Sequence, residues 1–319
     1  MLSDSDGEEL LFELRVGRGI TLKRAGSNGM VTVAAGVRSA PGPAEVADHL
    51  SERNFIKLAA LIQDYCGIKM PTAKRTMIAV RLRRRLTTLD LADLDAYCNY
   101  LFEGGGLETE LVHLINAVST NKTDFFREPA HFDFIWNTAL PGFVAAGRRQ
   151  VRVWSAAASI GAEAYSVAMV LEDYRRQKQG PDYSILATDI STEVLDVALA
   201  GRFAQAMMDP VPADLYSRYV LQAVDPSLNE VRIVPHLRSK TSWGRLNLMD
   251  QSYPVATDMD LIFCRNILIY FDKPTQNAVL ARLTSHLRPG GYLILGHSEA
   301  GAASELPLTS IANSIYRKT

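Results

Sequence analysis

Two hydrophobic periods divide the chain. From Phe55 onward the period is helical: Phe55, Leu58, Ile62 and Tyr65 fall on one stripe, and Gly67 stands where a helix would stop. The next segment, PTAKRTMIAVRLRRRL, opens with Pro71 in a position suited to a first turn. Ile78, Leu82 and Leu86 then recur every fourth residue and share a face that should be buried. Two more helices are predicted, one around Leu94, Tyr97 and Leu101, the other around Leu107, Leu111, Leu114 and Val118, with Gly104-Gly105-Gly106 as the break between them. Residues 51–118 thus read as a small helical bundle. A helix and a basic loop over Trp136–Arg149 follow, and the period then shortens. The apolar runs VRVW (151–154), YSILATD (183–189), DLIFC (260–264) and YLILG (292–296), bounded by helical or turn segments, predict a parallel sheet with crossover helices. Between Gly201 and Asn247 a helix-like DLYSRYV and two alternating stretches, EVRIVPHL and KTSWGRLNL, interrupt this pattern and read as a small β insertion over about 202–246.

The expected organisation is an extension over 1–50, a helical domain over 51–118, a connecting segment over 119–149 and an α/β domain over 150–319. The extension is acidic at its start and then scattered with Gly, Ser and Pro without a period, so it is expected to be flexible at least in part. Apolar residues at 47% and charged residues at 22% exclude wholesale disorder. A net charge of −1 removes the overall attraction that general nucleic-acid binders use, so no nucleic-acid partner is expected. Cys66, Cys98 and Cys264 form no C-x-x-C pair and the six His are dispersed, so no disulfide framework, zinc ribbon or metal site is expected. No apolar run reaches the ~18–20 residues of a membrane span and the acidic start lacks a basic leader, which points to the cytoplasm. Charge does concentrate locally: Lys74, Arg81 and Arg85, flanked by Arg84, line up with no acidic residue between Pro71 and Leu89. Such a stripe is either a solvated helix face or a docking surface for an acidic partner.

Four segments carry candidate chemistry. The turn after VRVW, SAAASIGAEAYS, has small residues that either let a ligand approach the backbone at a helix start or allow close helix–sheet packing. Asp189 ends the second strand, where a carboxylate either accepts hydrogen bonds from ribose hydroxyls or caps the next helix. STNKTDFFRE (119–128) lies between the two domains as either a ligand-contacting segment or an anchoring linker. FCRNILIYFD (263–272) ends a sheet strand at the edge where open α/β sheets bind ligands, and is otherwise core strand plus turn.

STNKTDFFRE, WSAAASIGAEAYS, the ATDIS turn, GRLNL, FCRNILIYFD and RPGGYLILGHSE occur in the order and spacing of the chemotaxis receptor methyltransferases, and residues 52–319 resemble this CheR family. The resemblance implies a Rossmann-like S-adenosylmethionine-dependent domain with an inserted β subdomain, preceded by a small all-α domain. It implies methylation of glutamate carboxylates on chemoreceptors, with S-adenosylhomocysteine as product. Carried across, the family's cofactor contacts fall on Asn121, Thr123, Arg127, Glu163, Asp189, Asn247, Leu248, Arg265 and Asn266, and its substrate-orienting pair on Arg127 and Tyr270. The stripe of Lys74, Arg81, Arg84 and Arg85 would meet the acidic methylation region of the receptor. Ile160, Ala162 and Ala164 depart from the family's usual Thr, Glu and Pro, which bears on cofactor affinity. AVDPSLNEV (223–231) contains no Gly, so tethering of a receptor's C-terminal peptide is not expected, and the protein should be a monomer. A non-catalytic cofactor-binding adaptor of the same fold is the rival reading. A nucleic-acid amino-methyltransferase would carry Asn/Asp-Pro-Pro-aromatic where this chain has Arg265-Asn266-Ile267-Leu268, and GHSEA (296–300) misses the hydrolase G-x-S-x-G at Ala300.

Overall fold

A computed structural model describes residues 50–303 and 306–319; of the predicted extension only Leu50 falls among them, and it is fully buried. The bundle consists of α1 (Glu52–Cys66), α2 (Arg75–Leu89), α3 (Leu94–Phe102) and α4 (Leu107–Val118). The Ser51 side chain caps the start of α1 by accepting the Asn54 N–H, and Gly67 ends the helix at φ 74°, a conformation an L side chain resists. Ile78, Leu82 and Leu86 are buried as expected, against Leu58, Ile62, Tyr97 and Leu114. Pro71 does not open α2: it leads a 3-10 turn over Thr72–Lys74, and the α-helix begins only at Arg75.

The connecting segment forms α5 (Ala130–Phe134), a π-helical turn over Ile135–Ala139 and α6 (Leu140–Ala145). Pro141 sits just inside α6, where it has no N–H to offer the preceding turn, and the wider turn accommodates it. Next come β1 (Gln150–Ala156), α7 (Ala162–Lys178), β2 (Asp182–Asp189), α8 (Thr192–Ala200), β3 (Arg202–Ala204), α9 (Ala213–Tyr219), β4 (Val220–Gln222), β5 (Glu230–Ile233), α10 (Pro235–Arg238) and β6 (Thr241–Arg245). The chain closes with β7 (Met259–Cys264), α11 (Lys273–His286), β8 (Leu287–Leu295), β9 (Leu308–Ala312) and β10 (Ile315–Lys318).

One seven-stranded sheet runs in the order β6-β2-β1-β7-β8-β10-β9. The pairs among β6, β2, β1, β7 and β8 are parallel, whereas β10 is antiparallel to both β8 and β9. All six residues of β7 are buried, as a strand covered on both faces requires. The strand order reverses between β1 and β7, and the carboxyl ends of the strands around that switch point open toward the bundle.

The β insertion is shorter than the sequence suggested. β3, β5 and β4 form a separate three-stranded antiparallel sheet, but KTSWGRLNL supplies β6, an edge strand of the main sheet parallel to β2. An edge strand buried on one face alternates just as a strand of a small surface sheet does, so the pattern could not separate them. The partners did: Trp243 pairs with Ala187 and packs its ring 5.4 Å from that of Tyr165 on α7.

Side chains at strand ends fasten the bundle to the sheet. Asn247 donates to the Tyr65 carbonyl at 2.7 Å and Arg245 to the Tyr65 hydroxyl at 2.8 Å. Asn116 of α4 accepts from the Thr192 N–H at 3.1 Å and donates to its hydroxyl at 3.0 Å, at the first turn of α8.

Candidate active site

Between the bundle and the carboxyl ends of β1, β2, β6 and β7 lies a crevice of about 980 Å³, counting its open mouth. Asn121, Thr123, Arg127, Glu163, Asp189, Asn247, Leu248, Arg265, Asn266 and Tyr270 all line it, although they come from five separate stretches of sequence. The turn after β1 is held in an unusual conformation, with Ala157 at φ 63°, Ser159 at φ 52° and Gly161 at φ 89°. A Cβ on Gly161 would stand 2.6 Å from the Trp243 ring, so close packing and positive φ both select glycine there. This bend turns the Ser159 N–H onto Asp189 Oδ2 at 2.8 Å, while Oδ1 accepts the Ser191 N–H at 2.9 Å. Asp189 therefore does not cap α8; Ser191 holds that position. Burial pushes the Asp189 carboxyl above its usual range, and the backbone N–H bonds only partly offset this. Each carboxylate oxygen has further acceptor capacity, which suits a pair of hydroxyls.

On the other side of β1, Glu163 accepts from the Ser155 hydroxyl at 2.6 Å and pairs with Arg265 at 3.0 Å. The Arg265 side chain is 3% exposed and also pairs with Glu128 at 3.1 Å. One guanidinium thus stands between two carboxylates, leaving negative charge over to attract a cation. Burial raises the Glu128 carboxyl, but the Arg265 charge and hydrogen bond outweigh it and the net shift is downward. Glu128, His131 and His297 bring one potential ligand atom each within 4.8 Å, a grouping that linear spacing conceals. Burial and the Arg265 charge push His131 down to about 4, so its imidazole is neutral at physiological pH.

The Arg127 guanidinium makes no hydrogen bond or ion pair among the described residues and is half-buried, so it remains open to a ligand. Tyr270 packs between the core of the bundle and that of the sheet, with the Lys74 ammonium 5.4 Å above its ring. Asn266 lies at φ 58°, and its N–H reaches Glu299. The Asn247 amide also accepts from the Met249 N–H, so its oxygen and one donor are engaged within the protein. Ser155, Ser159, Glu128 and Glu299 lie within the quoted motifs, but none carries an individual role there: each acts on backbone or on another side chain, and no local spacing signals that.

The positive stripe divides. Arg81 donates to the carbonyls of Val118 and Ser119 at 3.1 and 2.8 Å, closing the end of α4. Arg85 forms a two-point pair with Glu110, at 2.5 and 3.0 Å, where Glu110 is 3% exposed. Of the four, only Arg84 is exposed, with Lys74 half-buried over Tyr270. The sequence showed no acidic neighbour because Glu110 sits on α4.

A parallel sheet whose switch point opens on a crevice with a ribose-suited carboxylate at a strand end fits the Rossmann-like class of nucleotide-cofactor enzymes. Residues 53–119 match the family described as CheR methyltransferase, all-alpha domain, and residues 121–314 match CheR methyltransferase, SAM binding domain. The chain is 35% identical over 268 residues to chemotaxis protein methyltransferase 2 of Pseudomonas aeruginosa, covering 84% of this chain and 94% of that protein. It is 37% identical over 269 residues to the chemotaxis protein methyltransferase of Escherichia coli, covering 84% and 91%. The Salmonella typhimurium protein of the same name is 38% identical over 252 residues, covering 78% and 84%. The chain belongs to the CheR methyltransferase family.

Proposed function

We propose that this protein methylates glutamate side chains of chemoreceptors, forming methyl esters at the expense of S-adenosylmethionine. The observation that carries the reading is the convergence of Asp189, Glu163, Arg265, Asn266, Arg127 and Tyr270 on one crevice. Its donor set fits the cofactor. Asp189 has acceptor capacity for a ribose diol, the Glu163 carboxylate faces the crevice for an ammonium, and Ala157 and Ala158 leave room for a flat ring. When bound, S-adenosylmethionine supplies a cationic, electrophilic methyl group.

A receptor glutamate, with a reference pKa near ~4.3, is already anionic at neutral pH, so no residue need act as general base. What the chain contributes is placement and exclusion of water. A drier site weakens hydration of separated charges that are neutralised as the bond forms. Arg127, unpartnered among the described residues, would orient a carboxylate. A cation beside the attacking oxygen holds the ground state more tightly than the partly neutralised transition state, so the weaker Tyr270 hydroxyl suits the final alignment. The substrate is the cytoplasmic methylation region of the receptor, approached by a monomer in the cytoplasm without peptide tethering.

Methyl-labelled cofactor is incubated with receptor fragments, followed by mild alkali: esters release methanol and methylated amines do not. Arg127→Ala should slow transfer at saturating cofactor and receptor, and Tyr270→Phe should slow it as well. An intact rate in Arg127→Ala with activity abolished in Tyr270→Phe would reverse the assigned roles.

A further inference from the structure

We propose that Glu299 is a positioning residue for methyl transfer, setting the turn that carries Asn266 and Tyr270 into the crevice; this rests on the site reading above. Glu299 lies beyond β8 and does not line the crevice. Its carboxylate is nonetheless 4% exposed and has no cation beside it among the described residues; Oε2 accepts the Asn266 N–H at 2.9 Å and the Gly296 N–H at 2.8 Å, while Oε1 accepts the Leu268 N–H at 2.8 Å. Burying a carboxylate without a counter-ion is costly, and peptide donors from two loops are what make it tolerable here.

Two of those donors bracket Ile267 and belong to the turn leaving β7. That turn departs from regular geometry, since Asn266 sits at φ 58°. The chain then makes a short 3-10 turn over Leu268–Tyr270, which ends on the Tyr270 ring at the crevice wall. Glu299 therefore grips the turn at its start and middle, and the position of Tyr270 follows from the grip. Gly296 makes the approach feasible: a Cβ there would stand 2.5 Å from Asn266 Nδ2 and 2.9 Å from Glu299 Oε2.

Glu299→Gln preserves shape but replaces one acceptor oxygen by an amide that faces peptide donors. It should lower kcat by about 10- to 100-fold and weaken S-adenosylhomocysteine binding by about tenfold, since the turn forms part of both halves of the crevice. Hydrogen exchange should accelerate in the peptide spanning 265–271, and Ser298→Ala, at an exposed neighbour, should match wild type. In a Tyr270→Phe background Glu299→Gln should cost less than it does alone, because the two changes act on one alignment. If Glu299→Gln lowers only the unfolding midpoint, and kcat and affinity of the folded protein stay at wild-type values, the residue is merely structural and the proposal is overturned. Should Glu299→Gln fail to fold, Gly296→Ala disturbs the same contact from the other side and must show the same loss of kcat and faster exchange; wild-type values there overturn the proposal as well. Wild-type rates in both Asp189→Ala and Tyr270→Phe would instead sink the site reading itself, and the proposal with it.

Discussion

Arg85 separates a docking role from a structural one. Its guanidinium holds Glu110 at two points, and Glu110 has the Tyr97 hydroxyl at 3.4 Å as its further partner. Arg85→Ala leaves that carboxylate, 3% exposed, without its cation, and removing one member of a buried pair costs about 3–5 kcal/mol. Against a total stability of ~5–15 kcal/mol this is a large share. Arg84, one position earlier and exposed, should change stability by no more than about 0.5 kcal/mol when replaced by Ala. Urea unfolding followed by circular dichroism measures both, and Arg85→Met combined with Glu110→Leu should recover most of the loss because neither charge is then stranded. Methylation rates across ionic strength complete the comparison, with Arg84→Glu steepening no stability loss but slowing receptor encounter. An Arg85→Ala protein within about 1 kcal/mol of wild type that methylates more slowly at low salt only would refute the structural assignment.

Asp189→Ala should weaken S-adenosylhomocysteine binding by about 10- to 100-fold in calorimetry, since hydrogen bonds to a charged group contribute roughly 1.5–3 kcal/mol each; unchanged affinity would remove it from the cofactor site. Glu128 is held below its usual 4.5, so its contribution to stability is present above that pH and disappears as pH falls through its folded value. Glu128→Gln should accordingly be less stable at neutral pH and show a flatter decline below about pH 4.5, which thermal unfolding across a pH series would detect.

Strand ends and turns marked the segments that line the crevice, but position alone left Asp189 open between a ribose contact and a helix cap, and Arg265 and Asn266 were singled out only by the resemblance to the CheR family. The helical stripe of Ile78, Leu82 and Leu86 was readable because burial follows from period alone. What escaped depends on partners distant in the chain. Arg81 and Arg85 looked like a solvent-facing stripe because their acceptors, carbonyls at the end of α4 and Glu110, lie beyond the whole of α3 in the chain. Thr241–Arg245 looked like part of a surface sheet because alternation reports one buried face and not which strand lies beside it. Glu299 ends the motif RPGGYLILGHSE, yet nothing in the motif tells its role, since the peptide N–H groups it serves belong to any residue type.

Ser191 stands at the head of α8 without using its own side chain as a cap, and Asn116 from the bundle answers the next peptide group instead. Neither half of the chain is therefore a finished module. A lobe produced without the bundle would hand the Thr192 N–H, three residues from Asp189, over to solvent. A chimera that exchanges the helical half keeps this junction when the incoming bundle brings an equivalent carboxamide to the same spot and a tyrosine to that of Tyr65.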